Sequence, residues 1–141
     1  MIFHGIRLVY AIVSFLVILI LYILALALGW FETIEWFDIL MHFLGGGWVA
    51  YVFFLLFRSF FAENYHIREW GKLLIIALSF VSFIGVLWEF FEFGVTEVFG
   101  VYLQGSLPDT MGDLCVDLIG GLVVSLFILF ISYRKHKEIT E

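Results

Sequence analysis

The chain has 141 residues, 64% hydrophobic and 21% aromatic, with a single Pro, a mean hydropathy of +1.11 and a formal net charge of −6. Soluble domains sit near half apolar, so this composition excludes one and indicates an integral membrane protein. An acidic balance without a basic stripe excludes nucleic acid as a partner, and Cys115, the only cysteine, excludes an intrachain disulfide or a thiolate metal cage.

Four apolar runs follow one another at 8–28, 39–57, 73–93 and 111–131, each approaching the ~20 residues that a helix needs to cross the hydrocarbon core. The expected fold is all-α: one transmembrane domain over 1–141, a four-helix bundle of two antiparallel hairpins. The first run follows Arg7 and carries Ala25-Leu26-Ala27, which looks like a signal-peptidase site. It is longer than the roughly 7–15 apolar residues of a signal peptide, so it is expected to stay as a helix. The loop Gly29 to Phe37 closes the first hairpin. The connection from Arg58 to Lys72 mixes aromatics with both charges and reads either as an interfacial segment or as a solvated connector. The connection from Thr96 to Leu107, with Gly100 and Gly105, reads as a lid over the bundle mouth or as an ordinary surface loop.

Charge is segregated. Arg7, Arg58, Arg68, Lys72, Arg134, Lys135 and Lys137 all fall on one side of this topology, which places both termini in the cytoplasm of a multi-pass cell-membrane protein. Glu32, Glu35, Asp38, Glu89, Glu92, Glu97, Asp109, Asp113, Asp117 and His42 fall on the other. Trp30, Trp36, Tyr65, Trp70 and Tyr133 lie near span ends and fit an aromatic belt.

The two hairpins resemble each other. Glu32-x-x-Glu35 is matched by Glu89-x-x-Glu92, and Asp38-x-x-x-His42-x-x-Gly45-Gly46 by Asp113-x-x-x-Asp117-x-x-Gly120-Gly121, the spacing of a parallel internal repeat with chance as the competing explanation. Residues four apart share a helix face. Asp38 therefore points with His42, while Asp109, Asp113 and Asp117 form a ladder with rungs ~6 Å apart. Ser82, Gly85, Glu89 and Glu92 share one side of the third span.

A charge at membrane depth costs several kcal/mol. Acids that no Lys or Arg can neutralise must share protons or hold a cation. Asp109 fits helix capping behind Ser106 and Pro108 as well as it fits a ligand, Asp38 has a place at a helix N-terminus, and Glu32, Glu35 and Glu97 are shallow enough to be solvated. Asp113, Asp117, Glu89 and Glu92 lie deeper. A bundle that offers Glu from two helices and paired ligands from two others has the architecture of carboxylate-bridged dimetal sites, with Glu-x-x-Glu and Asp-x-x-x-His in place of Glu-x-x-His. The candidate ligands are Asp38, His42, Glu89, Glu92, Asp109, Asp113 and Asp117. Oxygen-rich ligation with one imidazole suits Mg, Mn, Ca or Fe, with Zn also admissible.

Taken together, Asp38-x-x-x-His42-Phe43-x-Gly45-Gly46, Trp88-Glu89-x-x-Glu92 and Asp109-Thr110-x-x-Asp113-x-x-x-Asp117-x-x-Gly120 resemble the YjdF-like small bacterial membrane proteins and, more distantly, the VanZ-like proteins. The resemblance covers about residues 36–121. It implies that Asp38, His42, Glu89, Glu92, Asp109, Asp113 and Asp117 occupy the family's polar positions, and it transfers no activity. The CDP-alcohol phosphotransferases also use an Asp ladder, but their Asp-Gly-x-x-Ala-Arg element is absent.

Three functions compete. A metal-dependent hydrolase or transferase would act on a lipid or lipid-linked substrate, with His42 or Glu89 as general base. A transporter or channel for divalent cations or protons would use the same acids as an entrance. It would lack polar groups below Asp117 and Glu89 other than Ser14, Ser79, Ser82 and Ser125, unless a homo-oligomer supplied the path. A metal-stapled structural or partner-binding protein needs neither turnover nor path. The one-sided depth of the ligands favours the enzyme acting on membrane lipids.

Overall fold

A computed structural model describes residues 2–61 and 70–140. Its elements are α1 (Ile2–Leu28), α2 (Trp30–Thr33), α3 (Phe37–Phe61), α4 (Trp70–Phe99) and α5 (Leu107–Thr140), with no strand among the described residues. Four of the helices are long and apolar enough to span a membrane, at Arg7–Leu28, Phe37–Phe57, Trp70–Phe99 and Leu107–Arg134. A segment in hydrocarbon has no water to bond its backbone, so a helix is the form that satisfies every amide within one segment. Pro108 is tolerated because it falls in the first turn of α5, where no intrahelical partner awaits its missing N–H.

The predicted spans lie inside these helices. The turns between them differ from expectation. The first contains the single-turn helix α2, and the second is shorter than Thr96 to Leu107, because α4 continues to Phe99. The expected interfacial segment falls largely on 62–69, outside the described residues. Gly29 (φ 66°) directly follows α1 and Gly100 (φ 67°) directly follows α4. Both are left-handed terminators, a conformation open to glycine without a Cβ penalty.

Packing centres on α3 and α5, which run parallel away from the acidic end and form the most extensive helix pair; α4 packs against both, and α1 packs chiefly on α3. The pair is close because glycines allow it. A Cβ on Gly46 would collide with the backbone carbonyl of Asp117, and one on Gly120 would collide with the backbone carbonyl of Phe43. This contact is reciprocal, relating residues 43 and 46 to 117 and 120, one residue out of register with the repeat read from the sequence. The outer helices break the likeness, since α4 engages both inner helices and α1 chiefly one.

Rings fill the outer corner. Trp30 and Phe31 stack edge-on against Phe37 at 5.3 and 5.5 Å, and Tyr22 bridges α1 to Trp88 of α4 at 5.2 Å between centroids. Deeper, Val49, Ala50 and Val81 form a small buried cluster with Trp48, Ile84 and Val124 against it. Large apolar side chains cover the outer faces of α1, α4 and α5, as a lipid-facing surface requires.

Candidate functional site

The site is built where α3, α4 and α5 meet below their acidic ends. One turn separates Asp38 from His42 on α3, so both carry inward. His42 is 6% exposed, and acids surround its ring: Asp117 Oδ1 stands 3.4 Å from Nδ1, while Asp38 Oδ1 and Asp113 Oδ1 stand 3.8 and 4.0 Å from Nε2. The last two are too long for direct hydrogen bonds. From α4 come Glu89 and Glu92, also buried. Gly85, one turn deeper on α4, leaves the room that the Asp117 carboxylate occupies, since a Cβ there would stand 2.6 Å from Asp117 Oδ2.

The acids have few donors. Trp88 Nε1 donates to Glu92 Oε1 at 2.9 Å, and Gln104 Nε2 donates to Glu89 Oε2 at 3.0 Å. Glu89 Oε1 is buried without a partner. The described Arg7, Lys72 and Arg134 lie near the opposite ends of their helices, so among the described residues His42 is the group that can offset negative charge here.

Two sets of ligand-type atoms come within 4.8 Å of one another: Asp38, His42 and Asp113, and His42, Glu89 and Glu92. Oxygen ligands on opposite sides of a cation, each about 2.0–2.6 Å from it, stand roughly 4–5 Å apart, so both sets have the dimensions to enclose one. Asp117 joins through His42. Asp109 does not join either set: it is exposed at the rim, and its carboxylate lies against Gly105. Glu32, Glu35 and Glu97 are exposed. Ser82 lies outside the cluster, donating to the Leu78 carbonyl of its own helix.

Gln104, which the sequence did not single out, reaches the site from the loop 100–106. Thr96 Oγ1 accepts the backbone N–H groups of Leu103 and Gln104, both at 3.0 Å, and thereby folds the loop back over the mouth; Gln104 also donates to Thr110 Oγ1. The segment that read as a lid or as an ordinary surface loop is therefore a loop tied down by a threonine. A lone amide between two loop glycines was the available signal.

Behind the acids lies a cavity of about 250 Å³ between α1, α3 and α4. Asp38, His42, Glu92 and Asp117 form its polar end, and the remaining wall is almost wholly apolar.

The family described as "Predicted membrane protein (DUF2238)" matches residues 4–134. The chain belongs to this family. The match extends well beyond the 36–121 that carried the resemblance in motif, and it establishes a multi-pass membrane protein; the YjdF-like and VanZ-like names rest on those motifs alone. An uncharacterized protein of Thermotoga maritima is 30% identical over 112 residues, or 77% of this chain and 53% of that protein. The chain thus spans about half the length of this relative. No solved structure matches.

Proposed function

We propose that Asp38, His42, Glu89, Glu92, Asp113 and Asp117 hold a divalent cation, and that the protein uses it to hydrolyse or transfer a phosphoryl or ester group of a lipid or lipid-linked substrate at the outer face of the cell membrane. The observation that carries this reading is the unpartnered Oε1 of Glu89, on a residue 5% exposed, beside Glu92 and His42. A buried acceptor without a donor costs about 1–3 kcal/mol, more if charged. A cation removes that cost. Both ligand sets draw on His42, which favours one cation position with alternate partners. The ion, of the Mg, Mn, Ca, Fe or Zn class, would polarise the substrate oxygen or activate water. His42 or Glu89, whichever does not ligate the ion, would move the proton. The outer location and cytoplasmic termini follow from the segregated Lys and Arg.

The inner half of the bundle favours chemistry over conduction. Of the four serines below the cluster, Ser14, Ser79 and Ser82 donate their hydroxyls to carbonyls of their own helices, and Ser125 alone is buried with an unpartnered hydroxyl, which is little polar lining for an ionic path. Elemental analysis of purified protein is the first test. Wild type should carry divalent metal, and Asp117→Asn and His42→Ala should lose it together with up to about 2.7 kcal/mol of stability at a hundredfold excess of metal over Kd. A lipid panel should then reveal a metal-dependent product, with Glu89→Gln suppressing turnover where metal is retained. Metal-free wild type with protonated carboxyls in the infrared would leave a proton-sharing network instead. Saturable cation flux in vesicles, with no product, would favour a transporter.

A further inference from the structure

We infer that the cavity beside the acidic cluster takes a single hydrocarbon chain of the substrate lipid, admitted sideways between α1 and α4 with the polar head left at His42. The inference rests on the proposed lipid substrate and names how the protein would hold it. Three features of the cavity select a chain. Its wall is apolar from Phe15, Ile18 and Leu19 across to Val81 and Ile84, and it becomes polar where it reaches the Tyr22 hydroxyl, Asp38, His42, Glu92 and Asp117. An amphiphile with its head at that end satisfies both parts.

Its two ends are closed. The Tyr22–Trp88 ring contact bridges α1 and α4 above. Trp48 closes the other end, stacking on Phe15 at 4.9 Å and donating its indole N–H to the Ala11 carbonyl at 3.0 Å. Phe15 and Tyr22 are seven residues apart on α1, about 10 Å along the axis. The slot is therefore open along its side, toward the bilayer, and short.

Its floor is also kept bare. Gly45 lines the cavity, and a Cβ there would meet nothing within 4 Å. Packing against α5 thus does not require Gly45, whereas it does require Gly46. A side chain at 45 would enter the space that a lipid chain needs.

The test uses the 141-residue chain in phosphatidylcholine nanodiscs with Mn²⁺ and an octyl phosphate carrying a diazirine near its chain end. Photolabelling should concentrate on α1 and α4 segments facing the slot. Gly45→Leu should lower it about tenfold by occupying the space the chain would take, and Leu19→Trp, from the opposite wall, should do the same. Gly94→Leu is the control, since a Cβ there also meets open space but Gly94 does not line the slot. Bound metal, measured on the same samples, should be unchanged in all three variants. Labelling spread over the lipid-facing helix surfaces, or unaffected by both slot variants, would overturn the inference. Undiminished slot labelling of metal-free wild type would remove the cation reading and uphold the chain.

Discussion

Gln104 and Glu89 form the contact on which the mouth of the site depends. Gln104→Ala leaves Glu89 with neither oxygen paired among the described groups, so the variant should lose about 1–3 kcal/mol, visible as a lower Tm in detergent. Gln104→Glu should lose more, because it places a further acid against the cluster. An unchanged Tm in both would show that the Gln104 side chain contributes nothing to the folded state. At this scale the sequence was informative where polarity conflicts with surroundings: His42, Glu89, Glu92, Asp113 and Asp117 stand out of apolar runs, and all five are buried together. Gln104 and Tyr22 were not legible. A loop residue has no helical period to aim it, and Tyr22 reads as one more apolar position on α1 until Trp88 is seen against it.

Among the elements, α3 and α5 give the sharpest test, because neighbouring glycines have opposite environments. Gly46→Ala must push α5 away at Asp117 and should destabilise by roughly 1–3 kcal/mol. Gly45→Ala meets open space and gains helix propensity, so it should be neutral or stabilising by up to about 1 kcal/mol. Thermal unfolding of the two variants side by side decides it, and equal Tm values would contradict the close crossing. The helices themselves were legible from length and hydropathy, and paired glycines announced close approach. Which glycine bears the contact was hidden, since periodicity yields a face and not a register. The same limit explains why the contact symmetry differs by one residue from the repeat read in the motifs; α4 outran its predicted end because Thr96 and Glu97 are polar positions that a hydropathy window trims.

For the whole molecule, the segregated charges set the testable quantity. In a variant lacking Cys115, Glu35→Cys and Tyr102→Cys should react with an impermeant thiol reagent in intact cells, and Lys137→Cys should react only after permeabilisation. The reverse pattern would invert the proposed orientation. The family match and the four spanning helices establish the membrane location that composition had indicated, whereas the assembly of the bundle was legible only in outline. Nothing in the apolar pattern of α1 marks it as the helix that packs chiefly on one neighbour.

The site draws on both hairpins: Asp38 and His42 come from the first, and Glu89, Glu92, Asp113 and Asp117 from the second. This bears on biosynthesis. As the chain emerges from the ribosome, His42 comes out before the acids of α4 and α5, and Glu89 and Glu92 come out before Asp113 and Asp117. The insertion machinery must therefore host polar groups whose partners have not yet emerged. Docking of α5 ends that interval, so a chain stalled before residue 117 would present to the quality-control proteases a membrane protein with unmatched polar groups at its centre.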